Sequence, residues 1–128
     1  MNKRYIFIFF VSLFVHTITN AQQLPITKNG SWTVQDFKFH TGEVLPELKL
    51  AYITLGNPKG DAVLILHGTT GSASGMLTPA FAGELFGPGQ PLDATRYFVI
   101  LTDSIGAGNS SKPSDGLRAK FPAYNYND

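Results

Sequence analysis

Ala62-Val63-Leu64-Ile65-Leu66-His67-Gly68-Thr69-Thr70-Gly71-Ser72 decides the fold. Five apolar residues run without alternation into His-Gly and a loop of small residues. An unbroken Val/Ile/Leu run of this length suits a strand buried on both faces, as in a parallel sheet under helices. A buried helix segment is the competing reading, but the run is short and Gly60-Asp61 and Gly68 punctuate its ends. In open α/β sheets, sites form beyond the carboxyl ends of the strands. Gly68 and Gly71 carry no Cβ to block a ligand's approach to the backbone N–H groups of this loop.

A second run, Tyr97-Phe98-Val99-Ile100-Leu101, repeats the pattern and enters its own glycine-rich loop, Asp103-Ser104-Ile105-Gly106-Ala107-Gly108-Asn109-Ser110-Ser111. About 30 residues separate the two runs, enough for a parallel crossover. Within the crossover, Thr78-Pro79 reads as a helix start. Phe81, Leu85 and Phe86 form its apolar stripe, and Gly87-Pro88-Gly89 ends it. Pro91 to Thr95 reads as a further turn. Upstream, Val34 to His40 and Leu48 to Leu55 read as two strands joined at Thr41-Gly42-Glu43, a hairpin at a sheet edge. In the second strand Leu48, Leu50 and Tyr52 share one face, and Lys49, Ala51 and Ile53 the other. Gly56-Asn57-Pro58-Lys59-Gly60 is a strong turn. Gln22 to Gly30 is polar and reads as a linker. Phe37, Phe39, Phe81, Phe98 and Phe121 are expected in the core.

The first 21 residues stand apart. Lys3 and Arg4 precede the apolar core Tyr5 to Val15, and Thr19-Asn20-Ala21 offers small residues for a signal peptidase. A membrane anchor is the rival reading. A spanning helix needs about 20 apolar residues, and His16, Thr17, Thr19 and Asn20 interrupt this one early. The expected organisation is a signal peptide over 1–21, a linker over 22–31 and a domain over 32–128, in an exported protein. Its 43% hydrophobic residues suit a folded domain. The absence of cysteine excludes disulfides, thiolate metal sites and a Cys nucleophile. A net charge of +1 gives no electrostatic case for nucleic acid. No metal or cofactor is expected. The Gly106-Ala107-Gly108 pattern is a poor dinucleotide fingerprint, because Ser111 stands where a third glycine belongs.

His67-Gly68-Thr69-Thr70-Gly71-Ser72, Gly87 to Asp93, Arg96 to Ile100 and Asp103 to Ser111, in this order, resemble the α/β-hydrolase fold in its homoserine O-acetyltransferase-like branch. Leu50-Ala51-Tyr52-Ile53-Thr54-Leu55-Gly56 fits the same branch, so the resemblance covers Phe37 to Asp128. It implies an antiparallel hairpin followed by parallel strands, and a small-molecule ester or acyl substrate. It assigns the Thr69 backbone N–H as an oxyanion-hole donor, with Gly68, Thr70 and Gly71 shaping the substrate loop. Asp103, Gly106, Gly108 and Ser110 match a mostly structural loop.

Acyl transfer on this fold needs a serine on a strained strand-to-helix turn, usually Gly-x-Ser-x-Gly, then an acid and a histidine. The 128 residues contain no such motif: Gly71-Ser72-Ala73-Ser74-Gly75 has alanine at its centre. His67 precedes any serine that could serve, and reads as a strand-end histidine ordering its loop rather than as a base. Asp103 likewise reads as a loop carboxylate rather than a triad acid, and Ser72 and Ser74 have no base beside them. The expectation is the N-terminal portion of a longer exported esterase, inactive by itself. A homoserine O-acetyltransferase-like enzyme is the alternative, disfavoured by export because acetyl-CoA is normally absent outside the cytoplasm. A non-catalytic truncated product or binding module is a third reading. In the family's sheet order Ala62 to Leu66 is central and pairs with a later strand. Without that strand it should be an exposed apolar edge.

Overall fold

The computed structural model describes residues 25–128, so the signal-peptide assignment lies outside the described residues. Four strands, β1 (Thr27–Lys38), β2 (Val44–Gly56), β3 (Asp61–Leu66) and β4 (Tyr97–Thr102), form one sheet in the order β1-β2-β4-β3. β1 and β2 are an antiparallel hairpin, β2 and β4 are antiparallel, and β3 and β4 are parallel with Val63 opposite Val99. The mixed sheet expected from the sequence is therefore present.

The hairpin closes where Gly42 N–H donates to Phe39 O at 2.8 Å, with Gly42 at φ +87. Both strands are longer than expected. β1 begins at Thr27, inside the stretch read as a linker: Thr27 pairs with Leu55 and Gly30 with Tyr52. Polarity misleads there because β1 is an edge strand with mostly exposed side chains. Gly30 is not a turn residue. The Tyr52 ring lies across it, leaving no room for a Cβ. The faces of β2 follow the expected alternation, with Leu48 and Leu50 on one cluster and Ile53 and Leu55 on another. Leu45 joins the Leu48 cluster although it is three residues away. The alternation breaks between them at Pro46, and across the hairpin Asp36 adopts φ +51.

The larger core lies on one face of the sheet and contains Ile53, Leu55, Ala73, Ala82, Phe86, Ala94, Val99 and Leu101. The crossover covers it. Its helix α1 (Ala82–Leu85) starts later than Thr78-Pro79 suggested. Thr78 serves through its carbonyl, which accepts from Ala82 N–H at 2.8 Å, and not through a side-chain cap. The smaller core, Phe39, Leu45 and Leu48, lies under Phe37 and Phe121 in an edge-to-face aromatic row.

β3 is not buried on both faces. It forms a sheet edge, and Leu64 and Leu66 are 60% and 66% exposed. Ile65 packs on the larger core, while Ala62 and Leu64, paired with Phe98 and Ile100, face away from it. Phe98 is consequently only half-buried and belongs to neither core. Continuous hydrophobicity signals two coverable faces, but among the described residues only one is covered. The edge expected in the absence of a neighbouring strand is what the fold presents.

Asp93 anchors the end of the crossover. Its carboxylate accepts from Gly89 N–H at 2.7 Å, Thr95 N–H at 2.8 Å and Thr95 Oγ1–H at 2.7 Å. The Gly89 amide, then the Thr95 hydroxyl and amide, hold its carboxyl below the usual carboxylate range. A depressed carboxyl stabilises the fold above its unfolded-state pKa, and that contribution disappears as pH falls through the folded value. Asp93→Asn should therefore lower the urea midpoint at pH 7 and leave it close to the parent's at strongly acid pH. An equal gap at both would rule the anchor out.

Candidate active-site loops

The loops after β3 and β4 emerge side by side because the two strands are parallel neighbours. Each loop is short of side chains and rich in backbone donors. In the first, Gly71 N–H donates to Gly68 O at 2.9 Å, closing a four-residue turn with Thr69 and Thr70 at its corners. Thr70 has φ +64 and Thr69 does not have a positive φ, which defines a type II turn. A β-branched residue at the third position of such a turn is strained, on the order of 1–2 kcal/mol. The amides of Thr69 and Thr70 have no hydrogen-bond partner among the described residues, and both residues are exposed. Gly71 is tightly placed, since a Cβ there would lie 3.0–3.3 Å from Gly68 O and the His67 side chain.

The strain has a direct test. Thr70→Gly should raise stability by about 0.5 kcal/mol, because relief of the left-handed conformation exceeds the entropy glycine adds to the unfolded chain. The same change at Thr54, inside β2, should cost about 1 kcal/mol. Urea titration of both variants checks the sign difference.

The second loop is built on hydroxyls that replace strand partners. Beyond the last β2–β4 pair, Asp103 N–H donates to Ala51 O at 2.9 Å, and Ala51 N–H donates to Ser110 Oγ at 2.8 Å. Ser110 Oγ–H in turn donates to Asp103 O at 2.7 Å, and Lys49 N–H donates to Ser111 Oγ at 2.9 Å. Sequence reading placed Ser110 in a structural loop, and this is its work. Gly106 sits at φ +86 with the Tyr124 ring across it. Gly108 is at φ +51, and any Cβ there would overlap the Asp103 carboxylate.

Two side chains tie the loops together. The buried Asp103 carboxylate accepts from Ala73 N–H at 2.6 Å in the first loop and from Asn109 N–H at 2.8 Å in its own. From the other side, His67 Nε2 accepts from Ser104 N–H at 3.1 Å, and His67 Nδ1 lies 2.8 Å from Gly68 O. An amide can only donate, so Nε2 carries the lone pair and Nδ1 the proton. With Nε2 engaged, His67 has no free base site. Ser72 and Ser74 bond each other through their hydroxyls at 3.1 Å.

Sequence reading missed the far partner of Asp103, because Ala73 is thirty residues away and a backbone amide leaves no residue-type signal. It also missed His40. That side chain meets Asp128 through Nδ1 at 2.8 Å and Asn125 through Nε2 at 3.0 Å. Asn125 and Asp128 show the reciprocal pattern of a helix cap: Asn127 N–H donates to Asn125 Oδ1 and Asn125 N–H to Asp128 Oδ2. Among the described residues no group of His, Asp or Glu is arranged to hold a metal, and no helix is long and apolar enough to cross a membrane.

No family model matches the chain. Homoserine O-acetyltransferase of Haloferax prahovense is 38% identical over 96 residues, 65% of this chain and 23% of that protein. The enzyme of the same name from Thermobifida fusca is 30% identical, over 81% of this chain and 35% of its own. The chain thus spans a quarter to a third of the length of these relatives. Among solved structures, homoserine O-acetyltransferase from Staphylococcus aureus superposes on 76% of the chain with TM-score 0.62 at 22% identity. An acetylester hydrolase from Corynebacterium glutamicum covers the same share with TM-score 0.61 at 25% identity.

Proposed function

We propose that this chain, which belongs to the homoserine O-acetyltransferase-like α/β-hydrolases, supplies the oxyanion side of a serine-dependent acyl-transfer site in an exported enzyme. The supporting observation is the type II turn at the end of β3, which leaves the Thr69 N–H without a partner among the described residues, at the carboxyl end of a parallel strand. When a serine hydroxyl attacks an ester carbonyl, negative charge develops on the carbonyl oxygen. A backbone N–H held toward that oxygen stabilises the transition state, and losing one such donor typically costs about 3 kcal/mol. Gly68 and Gly71 let the acyl group approach the turn, and Thr70 sets its shape. The nucleophile, acid and catalytic histidine are not among these 128 residues, so the second amide of the hole, which follows the nucleophile, is not among them either. The chain alone is therefore inactive in this reading.

The acceptor follows from the leader. A basic start, an apolar core and small residues at Thr19-Asn20-Ala21 would export the protein to a compartment without acetyl-CoA. Water then takes the acyl group, and the reaction is hydrolysis of a small ester. A second reading, acetyl transfer to homoserine, is favoured by the names of the curated relatives.

Expression of the complete reading frame separates them. Turnover of p-nitrophenyl acetate without CoA release from acetyl-CoA and homoserine would support hydrolysis. The reverse would support transfer. Activity in neither assay, with a stable monomeric product, would favour a binding module. Fractionation with and without residues 1–21 tests export.

A further inference from the structure

The turn that presents Thr69 is strained at Thr70 and exposed, so something must hold it. Its own backbone hydrogen bond is Gly71 N–H to Gly68 O, and the same carbonyl lies 2.8 Å from His67 Nδ1. The remaining restraint comes from the neighbouring loop, in two contacts that run in opposite directions. His67, at the entrance of the turn, reaches across to Ser104 N–H. Asp103, beside Ser104, reaches back to Ala73 N–H at the exit. The turn is thus held at both ends by the residue pair with which the β4 loop begins.

We propose that His67 and Asp103 form a reciprocal clasp that positions the Thr69 N–H, with His67 acting as a fixed neutral imidazole and not as a proton carrier. This rests on reading Thr69 as the oxyanion donor. The chemistry of the contacts sets the clasp's requirements. Ser104 N–H needs an acceptor at the Nε2 position, and Gly68 O needs a donor at Nδ1, so only the Nδ1–H tautomer satisfies both. A Cβ at Gly71 would crowd His67, lying 3.1 Å from its Cβ and 3.3 Å from Nδ1, so glycine there leaves the ring its place. Asp103 accepts on both oxygens, from Ala73 at Oδ1 and from Asn109 at Oδ2, and an asparagine offers an acceptor at only one of those two positions. Gly108 completes the arrangement by leaving room for that carboxylate. Between His67 and Glu84, and between Asp103 and Lys112, the two loops carry no other titratable side chain that could substitute.

The test uses the full chain for structure and the complete reading frame for rate. Long-range 1H–15N spectra should show His67 as the Nδ1–H tautomer, and the Ser104 and Ala73 amides should exchange slowly. His67→Ala should speed Ser104 exchange at least tenfold. It should also lower kcat about tenfold or more with little change in KM, because the donor is misplaced rather than the substrate-binding surface lost. His67→Gln puts an amide oxygen where Nε2 accepts and should restore much of both. Asp103→Asn should speed Asn109 or Ala73 exchange and lower kcat in the same way, and it serves if His67→Ala does not fold. An Nε2–H tautomer, or unchanged Ser104 exchange in His67→Ala, overturns the clasp. A parent enzyme with no turnover but with the expected tautomer and exchange overturns the oxyanion reading and leaves the clasp standing as a loop restraint.

Discussion

Thr69→Pro, in the product of the complete reading frame, should lower kcat for ester hydrolysis by two to three orders of magnitude while leaving the fold intact. Proline has no N–H, so the substitution deletes the proposed donor and little else. The turn type makes this feasible. Thr69 occupies the second position of a type II turn, where proline's fixed negative φ is favoured. Its amide has no partner among the described residues, so no hydrogen bond among them is sacrificed. The preceding residue, which proline pushes toward extended conformations, is Gly68. A loss of about 3 kcal/mol of transition-state stabilisation is the usual consequence of removing one oxyanion donor. Thermal unfolding should remain within a few degrees of the parent. A Thr69→Pro enzyme with near-parental kcat would remove Thr69 from the mechanism, and Thr69→Ala, which keeps the amide, should be nearly silent.

Phe86→Ala should destabilise the domain by about 4 kcal/mol, a change in melting temperature on the order of 20 °C. Phe86 is 1% exposed and packs edge-to-face on Phe81 with ring centroids 6.2 Å apart. Its backbone also holds the crossover: Phe86 N–H donates to Ala82 O at 3.0 Å, and Ala94 N–H donates to Phe86 O at 3.0 Å. Truncation leaves a void among Ile53, Leu55, Val99 and Leu101 that short helix α1 is poorly placed to fill. Phe98→Ala is the control. Both residues are phenylalanines in apolar surroundings, but Phe98 lies on the uncovered face of β4 and should cost only about 1 kcal/mol. Equal losses at the two positions would contradict the one-sided core.

The homology to homoserine O-acetyltransferases and the mixed sheet were both legible in the motifs. His67-Gly68-Thr69-Thr70-Gly71 and Asp103 to Ser111 carry their meaning in residue type, because glycine at tight turns is a local requirement, whereas the strand amides that Ser110 and Ser111 serve lie about sixty residues away. The inward face of β2 was legible for the same reason: strand alternation is a property of consecutive residues. Where polarity had to stand in for pairing, the reading failed. Thr27 to Ser31 looked like a linker because an edge strand exposes its side chains, and only the register with β2 makes it a strand.

By itself, then, the sequence determined the apolar strand cores, the turns between them and the resemblance to the family, since each is written in runs of consecutive residues. The tertiary structure alone decided that β4 lies between β2 and β3, and that Leu64, Leu66 and Phe98 face away from the core. It alone brought Asp103 to Ala73 and His67 to Ser104, across 30 and 37 positions. Such contacts join a side chain to a distant backbone amide. Every residue but proline carries that amide, so no pattern of residue types can announce the partner before the chain has folded.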